Sequence, residues 1–203
     1  MEKEIFLDIR KSATVKINLS NHIEYASPYM LEVLGYQVTE FVTQPPRTIC
    51  HPDMPEIVHD IIGSFIMDFK KGIAVLKHVT KTGDYIWAFT QYYPSYKEDG
   101  SFESFITRRK PLPTKKMNGE LEDMKYQISK LYEIIKGIEQ HTGLKQAHAY
   151  LNGFLEYKGF NSLEDYYMSF FDFNNKELEA YFEIDAKTPE KFIKKYTNII
   201  DLF

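Results

Sequence analysis

Cys50-His51-Pro52-Asp53-Met54-Pro55 is the stretch from which the rest of this chain is read. Its two prolines fix φ at their own positions, Asp53 is placed to cap the amides that follow, and Pro55 sits where a first helical turn tolerates a missing N–H. The run it opens, Glu56 to Lys71, carries Val58, Ile61, Ile62, Phe65, Ile66 and Phe69 on one side. His59, Asp60, Ser64, Asp68 and Lys70 fall largely on the other. The corner therefore launches an amphipathic helix whose apolar stripe lies across a sheet.

Upstream, Ala13, Val15, Ile17 and Leu19 alternate with polar residues at the period of a half-buried strand, and His22 to Ala26 alternates again after a Ser20-Asn21 turn. Ser27-Pro28 supplies an N-cap with proline at the first helical position, and Gly35 stops the short helix that follows. Thr39-Glu40-Phe41 reads as a small polar segment. Downstream, Ile73 to Thr80 is a β-branched strand, Lys81 to Asp84 a glycine-containing turn, and Tyr85 to Tyr96 a long aromatic strand. Lys97 to Gly100 turns once more into a last strand holding Phe102, Phe105 and Ile106. This order predicts an antiparallel α+β sheet with its helices collected on one face.

Pro111 to Lys116 and Asn118-Gly119 interrupt the pattern. The chain is accordingly divided into a sheet domain over 1–110, a linker over 111–119 and an all-α region over 120–203. In the last, Leu121, Met124, Ile128, Leu131, Ile135 and Ile138 form an a/d seam. Gly143 to Tyr157 predicts a helix buried through Leu144, Ala147, Tyr150, Leu151 and Phe154. Further helices start after Asn161-Ser162, at Asn174 and at Thr188-Pro189, the last carrying Phe192, Ile193, Tyr196, Ile199 and Ile200.

Composition narrows the function classes. A net charge of −4 leaves no basic field for a phosphate backbone, so nucleic acid is not an expected partner. One cysteine excludes an internal disulfide and cysteine-rich zinc patterns, and fits a reducing compartment. Met1-Glu2-Lys3-Glu4 lacks a signal-peptide start and no apolar run has membrane-spanning length, so the expected location is cytoplasmic, without direct membrane insertion. The 15 Tyr and 15 Phe point first to aromatic packing and second to an aromatic-lined pocket.

His22 to Pro28 followed by Leu31-Glu32-Val33-Leu34-Gly35-Tyr36 resembles the opening of a PAS domain. His51 to Pro55 together with Lys81-Thr82-Gly83-Asp84-Tyr85-Ile86-Trp87 resembles the aerotaxis-receptor branch of that superfamily, the likeness running from Thr14 to Lys110. The resemblance implies a five-stranded antiparallel sheet flanked by helices, with a cavity between. It also implies redox sensing through bound FAD and relay to a helical partner module. Carried over residue by residue, it marks His51, Asp53, His78 and Trp87 as candidate cofactor-binding residues. Cys50 stands where flavin-binding members have arginine, His78 replaces an asparagine, and no tryptophan follows the long helix near Gly72-Ile73-Ala74.

The cofactor readings left open are FAD, which the resemblance implies, a haem held by His78 or Cys50, another ligand in the cavity, and none. His51, Asp53 and His59 are not spaced to converge on one metal ion. No phosphate loop, nucleophile elbow or carboxylate pair stands out, so an enzyme is not expected. The leading expectation is a sensory and signal-transduction protein responding to redox state, oxygen or a small ligand. Its output would be a signalling partner or a homodimer through the helix from Leu121. The alternatives are a cofactor-free interaction module whose cavity is filled by Phe65, Phe89 and Phe105, and a small-ligand enzyme.

Overall fold

The computed structural model describes residues 2–113, 115–117, 120–122, 124–171 and 174–193. Five antiparallel strands form one sheet: β1 (Ala13–Ile17), β2 (Ile23–Ala26), β3 (Gly72–Val79), β4 (Tyr85–Tyr96) and β5 (Phe102–Lys110), in the order β2-β1-β5-β4-β3. Between β2 and β3 run α1 (Pro28–Leu34), α2 (Val38–Phe41), a 3-10 turn over Pro46–Ile49, and α3 (Glu56–Met67). Local signals place these elements. The Ser27 hydroxyl accepts the Met30 amide at the start of α1, and Gly35 ends it in the left-handed region at φ 76°. The Thr39-Glu40-Phe41 segment is helical, because Glu40 reaches back to accept the Gln37 amide at 3.0 Å.

The long helix ends at Met67, short of the expected Lys71, and Phe69 leaves the apolar stripe at φ 51° and 43% exposed. Gly72 then begins β3 beneath the Phe65 ring, so close that a Cβ at this position would lie 2.2 Å from a ring carbon.

Cross-strand register assigns the two faces. Ala13, Arg109, Thr90 and Ala74 form one ladder across the sheet, and Val15, Thr107, Tyr92 and Gly72 the next. These point inward, toward the layer of α1 and α3. Lys110, Phe89 and Val75 form a ladder on the opposite, outer face.

The helices between β2 and β3 lie on the inner face, and those of the C-terminal region cover the outer one. Beyond β5, the strands β6 (Lys115–Met117) and β7 (Glu120–Glu122) pair with each other and lead into α4 (Met124–Thr142). Then follow α5 (Leu144–Lys158), α6 (Leu163–Met168), α7 (Asn175–Phe182) and α8 (Glu190–Ile193). Phe89, a cavity filler only in the cofactor-free alternative, packs outward on Phe171 and Phe182, with ring centroids 5.0 and 5.2 Å apart. The buried Lys110 ammonium donates to the carbonyls of Ile9 and Ile184 at 2.6 and 2.5 Å, and desolvation lowers its pKa to about 8. One apolar cluster joins α3, β3 and β4 to α4–α8.

The seam of α4 is buried within the chain through Met124, Ile128, Leu131 and Ile135, while Leu121 stands in β7. In α5, Leu144 lies outside at 38% exposure and Leu155 joins Ala147 and Leu151 in the core. Tyr196, Ile199 and Ile200 lie outside the described residues.

β3 is an edge strand, and its outward backbone groups are taken one by one. Glu164 of α6 accepts the Ile73 amide at 2.8 Å, and the Tyr132 hydroxyl of α4 donates to the Val75 carbonyl at 2.7 Å. The Lys77 carbonyl accepts the His51 amide at 3.1 Å, while the Lys77 amide meets Met54 Sδ at 3.2 Å. An open edge would offer unpaired groups to another strand, and here side chains and the corner close it. Among the described residues no helix is long and apolar enough to cross a membrane.

Candidate functional site

The corner that opens α3 is held differently from the expectation. Asp53 does not cap the helix. Its carboxylate pairs with the Lys77 ammonium at 2.5 Å, and its amide donates to His51 Nδ1 at 3.1 Å. The capping carboxylate comes from α4: Glu139 accepts the amides of Glu56 and Ile57, each at 2.9 Å. Pro55 has no side-chain acceptor to offer these orphan donors, so a distant residue supplies it.

His51 is buried beside Tyr85, with ring centroids 6.1 Å apart. Its Nδ1 accepts a backbone proton, so Nε2 carries the hydrogen, with Glu2 Oε2 the nearby acid at 3.5 Å. Burial, reinforced by Lys77, pulls its pKa down.

His78 lies on the inner face, fully enclosed. Its Nδ1–H donates to the Ile49 carbonyl at 3.2 Å, and its Nε2 accepts from Arg109 Nε at 3.0 Å. Both ring nitrogens are thereby used, and burial beside the Arg109 charge holds the pKa well below the usual imidazole value.

These residues wall a cavity of about 70 Å³ between α3 and the sheet, which Tyr92, Arg109, His78, Cys50, His59 and Leu76 help to line. His59, expected on the polar side of α3, shares a face with Ile62 and Ile66 at spacings of three and seven, and all three line this cavity. Its Nε2 stands 2.9 Å from Cys50 Sγ. Desolvation pushes the Cys50 pKa up and the His59 pKa down. The pair is therefore a thiol donating to a neutral imidazole, not a reactive thiolate.

A second space of about 580 Å³ lies outside, between α4 and the β3–β4 end of the sheet. Asp53, Lys77, Tyr85, Trp87, Tyr132 and Lys136 help to line it. Trp87 faces Tyr132 there, with ring centroids 6.1 Å apart, and the Lys77 ammonium sits 4.6 Å from the Tyr85 ring centroid. Of the four candidate residues, Asp53 and Trp87 thus share the outer groove, His51 sits at the corner behind it, and His78 belongs to the inner cavity.

The inner cavity does not fit a flavin or a haem. Its volume is about two waters' worth, at ~30 Å³ each. Organic ligand sites run to several hundred cubic ångströms, on the order of 300–1,000 Å³. His78 has no free nitrogen for an axial bond, and Cys50 is engaged by His59. Among the described residues no group of three or more His, Cys, Asp or Glu is placed to hold a metal ion.

Sequence reasoning missed Arg109, Tyr92, Thr107 and His59. Reading period two on from Phe105 would have put Thr107 and Arg109 on the inner face, and i, i+3, i+7 spacing would have turned His59 inward.

Comparison with known proteins places this geometry. Residues 23–108 match the PAS fold family. The aerotaxis receptor of Escherichia coli is 27% identical over 95 residues, a match covering 45% of this chain and 18% of the receptor. Among solved structures, a light-oxygen-voltage domain studied with a flavin analogue is 17% identical, with a TM-score of 0.48 over 60% of this chain and 84% of that one. The light-state LOV domain of the blue-light photoreceptor Aureochrome1 is 18% identical, with a TM-score of 0.47 over 62% and 91% of the two chains. Over residues 23–108, then, this chain matches the PAS fold family and is similar in sequence to a part of the aerotaxis receptor.

Proposed function

We propose that the chain is a sensory and signal-transduction module, acting in the cytoplasm by relay rather than catalysis. A change in the occupancy or charge of the inner cavity is the input, and a rearrangement of α4 and the helices beyond it is the output. The observation that carries this reading is the grip of Glu139 on the first amides of α3. That helix is the one whose His59, Ile62 and Ile66 wall the cavity, so a shift of the wall pulls on α4 directly. Tyr132, on the same helix, holds the Val75 carbonyl of the strand that carries His78. The partner that reads the output is a signalling protein or a second copy. It would meet the outward side of α4, where Tyr126 and Ile134 are exposed, since the apolar seam is already used within the chain.

Hydrogen exchange tests the relay. His59→Leu alters the cavity wall without touching α4, and exchange at amides 124–142 is expected to change in this variant. The change is expected to disappear in His59→Leu combined with Glu139→Ala. Unchanged α4 exchange in His59→Leu would sink the relay. An absorption spectrum of the purified protein bears on the input: flavin or Soret bands would mean that the cavity opens far beyond its present volume.

A further inference from the structure

The inner cavity contains a positive charge with no negative charge opposite it. Arg109 is 4% exposed. Its Nε donates to His78 Nε2 at 3.0 Å and its Nη1 to Thr107 Oγ1 at 2.8 Å, and both acceptors are neutral. A guanidinium has five N–H donors, so those two bonds leave three to be placed. Thr107 is itself committed, its hydroxyl donating to the Val15 carbonyl at 3.0 Å.

The groups around Arg109 are neutral or cationic, the cations being Lys77, which pairs with Asp53, and Arg47. His78 on β3 and His59 on α3 are held neutral by burial, and Cys50 is held as the thiol. Tyr92 on β4 is pushed up to about 12 by burial, and its hydroxyl is near enough to feel both Arg109 and Cys50. Arg47, on the cavity's rim, is answered by a two-pronged pair with Glu56. Among the described residues no carboxylate faces Arg109. Thr90, its cross-strand neighbour, carries a buried hydroxyl oxygen that also lacks a partner among them. A buried ion without a counter-charge is costly, and native proteins pair such groups.

We infer that the cavity is a binding site for a small monovalent anion, seated against the Arg109 guanidinium with the Tyr92 hydroxyl as second donor. The volume of about 70 Å³ sets the size class: chloride, bromide, nitrate or formate enter, and citrate or a nucleotide does not. The planar fork of the guanidinium favours the oxyanions, which accept two parallel N–H groups. This inference rests on the reading of the cavity as the sensory input and names the chemical class of what it takes.

The test uses the full chain in a buffer of constant ionic strength in which gluconate is replaced stepwise by formate, nitrate or bromide. The melting temperature is expected to rise by a few degrees and saturate with each small anion, as binding to the native state requires. The rise is expected to vanish in Arg109→Gln and to be at least halved in Tyr92→Phe. Crystals soaked in bromide are expected to show an anomalous peak at hydrogen-bond distance from the Arg109 guanidinium. This decides the matter even if Arg109→Gln does not fold. No saturable rise with any small anion, an equal rise in a folded Arg109→Gln, or bromide peaks only at the surface would overturn the assignment. A silent anion titration with an intact exchange response in α4 would remove the anion and leave the relay standing. Anion binding with unresponsive α4 amides would do the reverse.

Discussion

Glu139 and Ile57 are 82 positions apart in the chain, yet the carboxylate of one accepts the amide of the other at 2.9 Å. The neighbouring Glu56 amide is held by the same side chain at the same distance. The N-terminus of α3 is thus completed by α4. Glu139→Ala is expected to cost about 1–2 kcal/mol, since two orphan donors lose their acceptor and a favourable charge leaves the positive end of the helix. Urea unfolding measures the loss. A change below ~0.5 kcal/mol would mean that water replaces the carboxylate without penalty.

Acid should weaken the fold through its histidines. His51, His59 and His78 all have native pKa values below the unbound value of 6.5, with burial as the leading cause. Below 6.5 the unfolded chain binds protons that the native state refuses. The stability these neutral imidazoles provide is therefore complete above 6.5 and is lost as pH falls toward their native values. His78→Asn keeps a donor for Ile49 and an acceptor for Arg109 while removing the titration. Between about pH 7.5 and about pH 5.5 the urea midpoint of this variant should fall less than that of the parent. Equal slopes would show that His78 is not a main source of the acid loss.

The paired hydroxyls of Tyr132 and Tyr167 serve the two outward backbone groups of Val75. Tyr132 has a single proton, which goes to the Val75 carbonyl, so Tyr167 donates to Tyr132. Tyr132→Phe strands the buried Val75 carbonyl on the β3 edge and Tyr167→Phe strands the Val75 amide, so each is expected to cost about 1–3 kcal/mol. Thermal or urea unfolding of the two variants measures the losses. A change below ~0.5 kcal/mol in either variant would mean that water replaces the lost hydroxyl on the β3 edge.

Gly72→Ala brings a methyl into the Phe65 ring and is expected to cost at least 1–3 kcal/mol, roughly the penalty of overpacking. Combined with Phe65→Ala, the two losses should be less than additive, because the smaller side chain clears the space. Strict additivity in a double-mutant cycle would locate the strain elsewhere.

A fragment ending at Lys110 keeps the sheet and removes its outer cover. Val75, Trp87 and Phe89 would then face water, and the Ile73 amide and Val75 carbonyl would lose Glu164 and Tyr132. Strong binding of a hydrophobic dye and a lowered melting temperature are expected for residues 1–110 relative to the full chain. A fragment as stable as the whole would show the helices to be energetically independent of the sheet.

Much of the fold was legible because its signals are local. The alternation of Ala13, Val15 and Ile17, the Ser27 cap, the Gly35 stop and the aromatic run of β4 each depend on a few neighbouring residues. The site was legible only in part. Asp53 was read as the helix cap because it is adjacent, but Lys77 draws it away and Glu139 takes its place, and no periodicity encodes a choice of partner so far along the chain. The strand of Phe89 offers aromatics to both faces, and only the register with Val75 and Lys110 assigns it outward. Arg109 escaped because a charged residue at a strand's end is ordinarily solvated, whereas this one closes the inner ladder between Ala13 and Thr90.

The closure of β3 has a consequence for assembly. The opposite margin, β2, is only four residues long, and Ile23 there exchanges both of its backbone groups with Thr43 and Gln44 at 2.7 and 2.9 Å. With the β3 rim closed and the short β2 rim engaged at Ile23, continuous hydrogen-bonded ribbons running from one molecule into the next are disfavoured. Among the described residues, the five-stranded sheet offers little seed for fibril growth by strand templating, and a receptor peptide has little purchase for joining as a sixth strand.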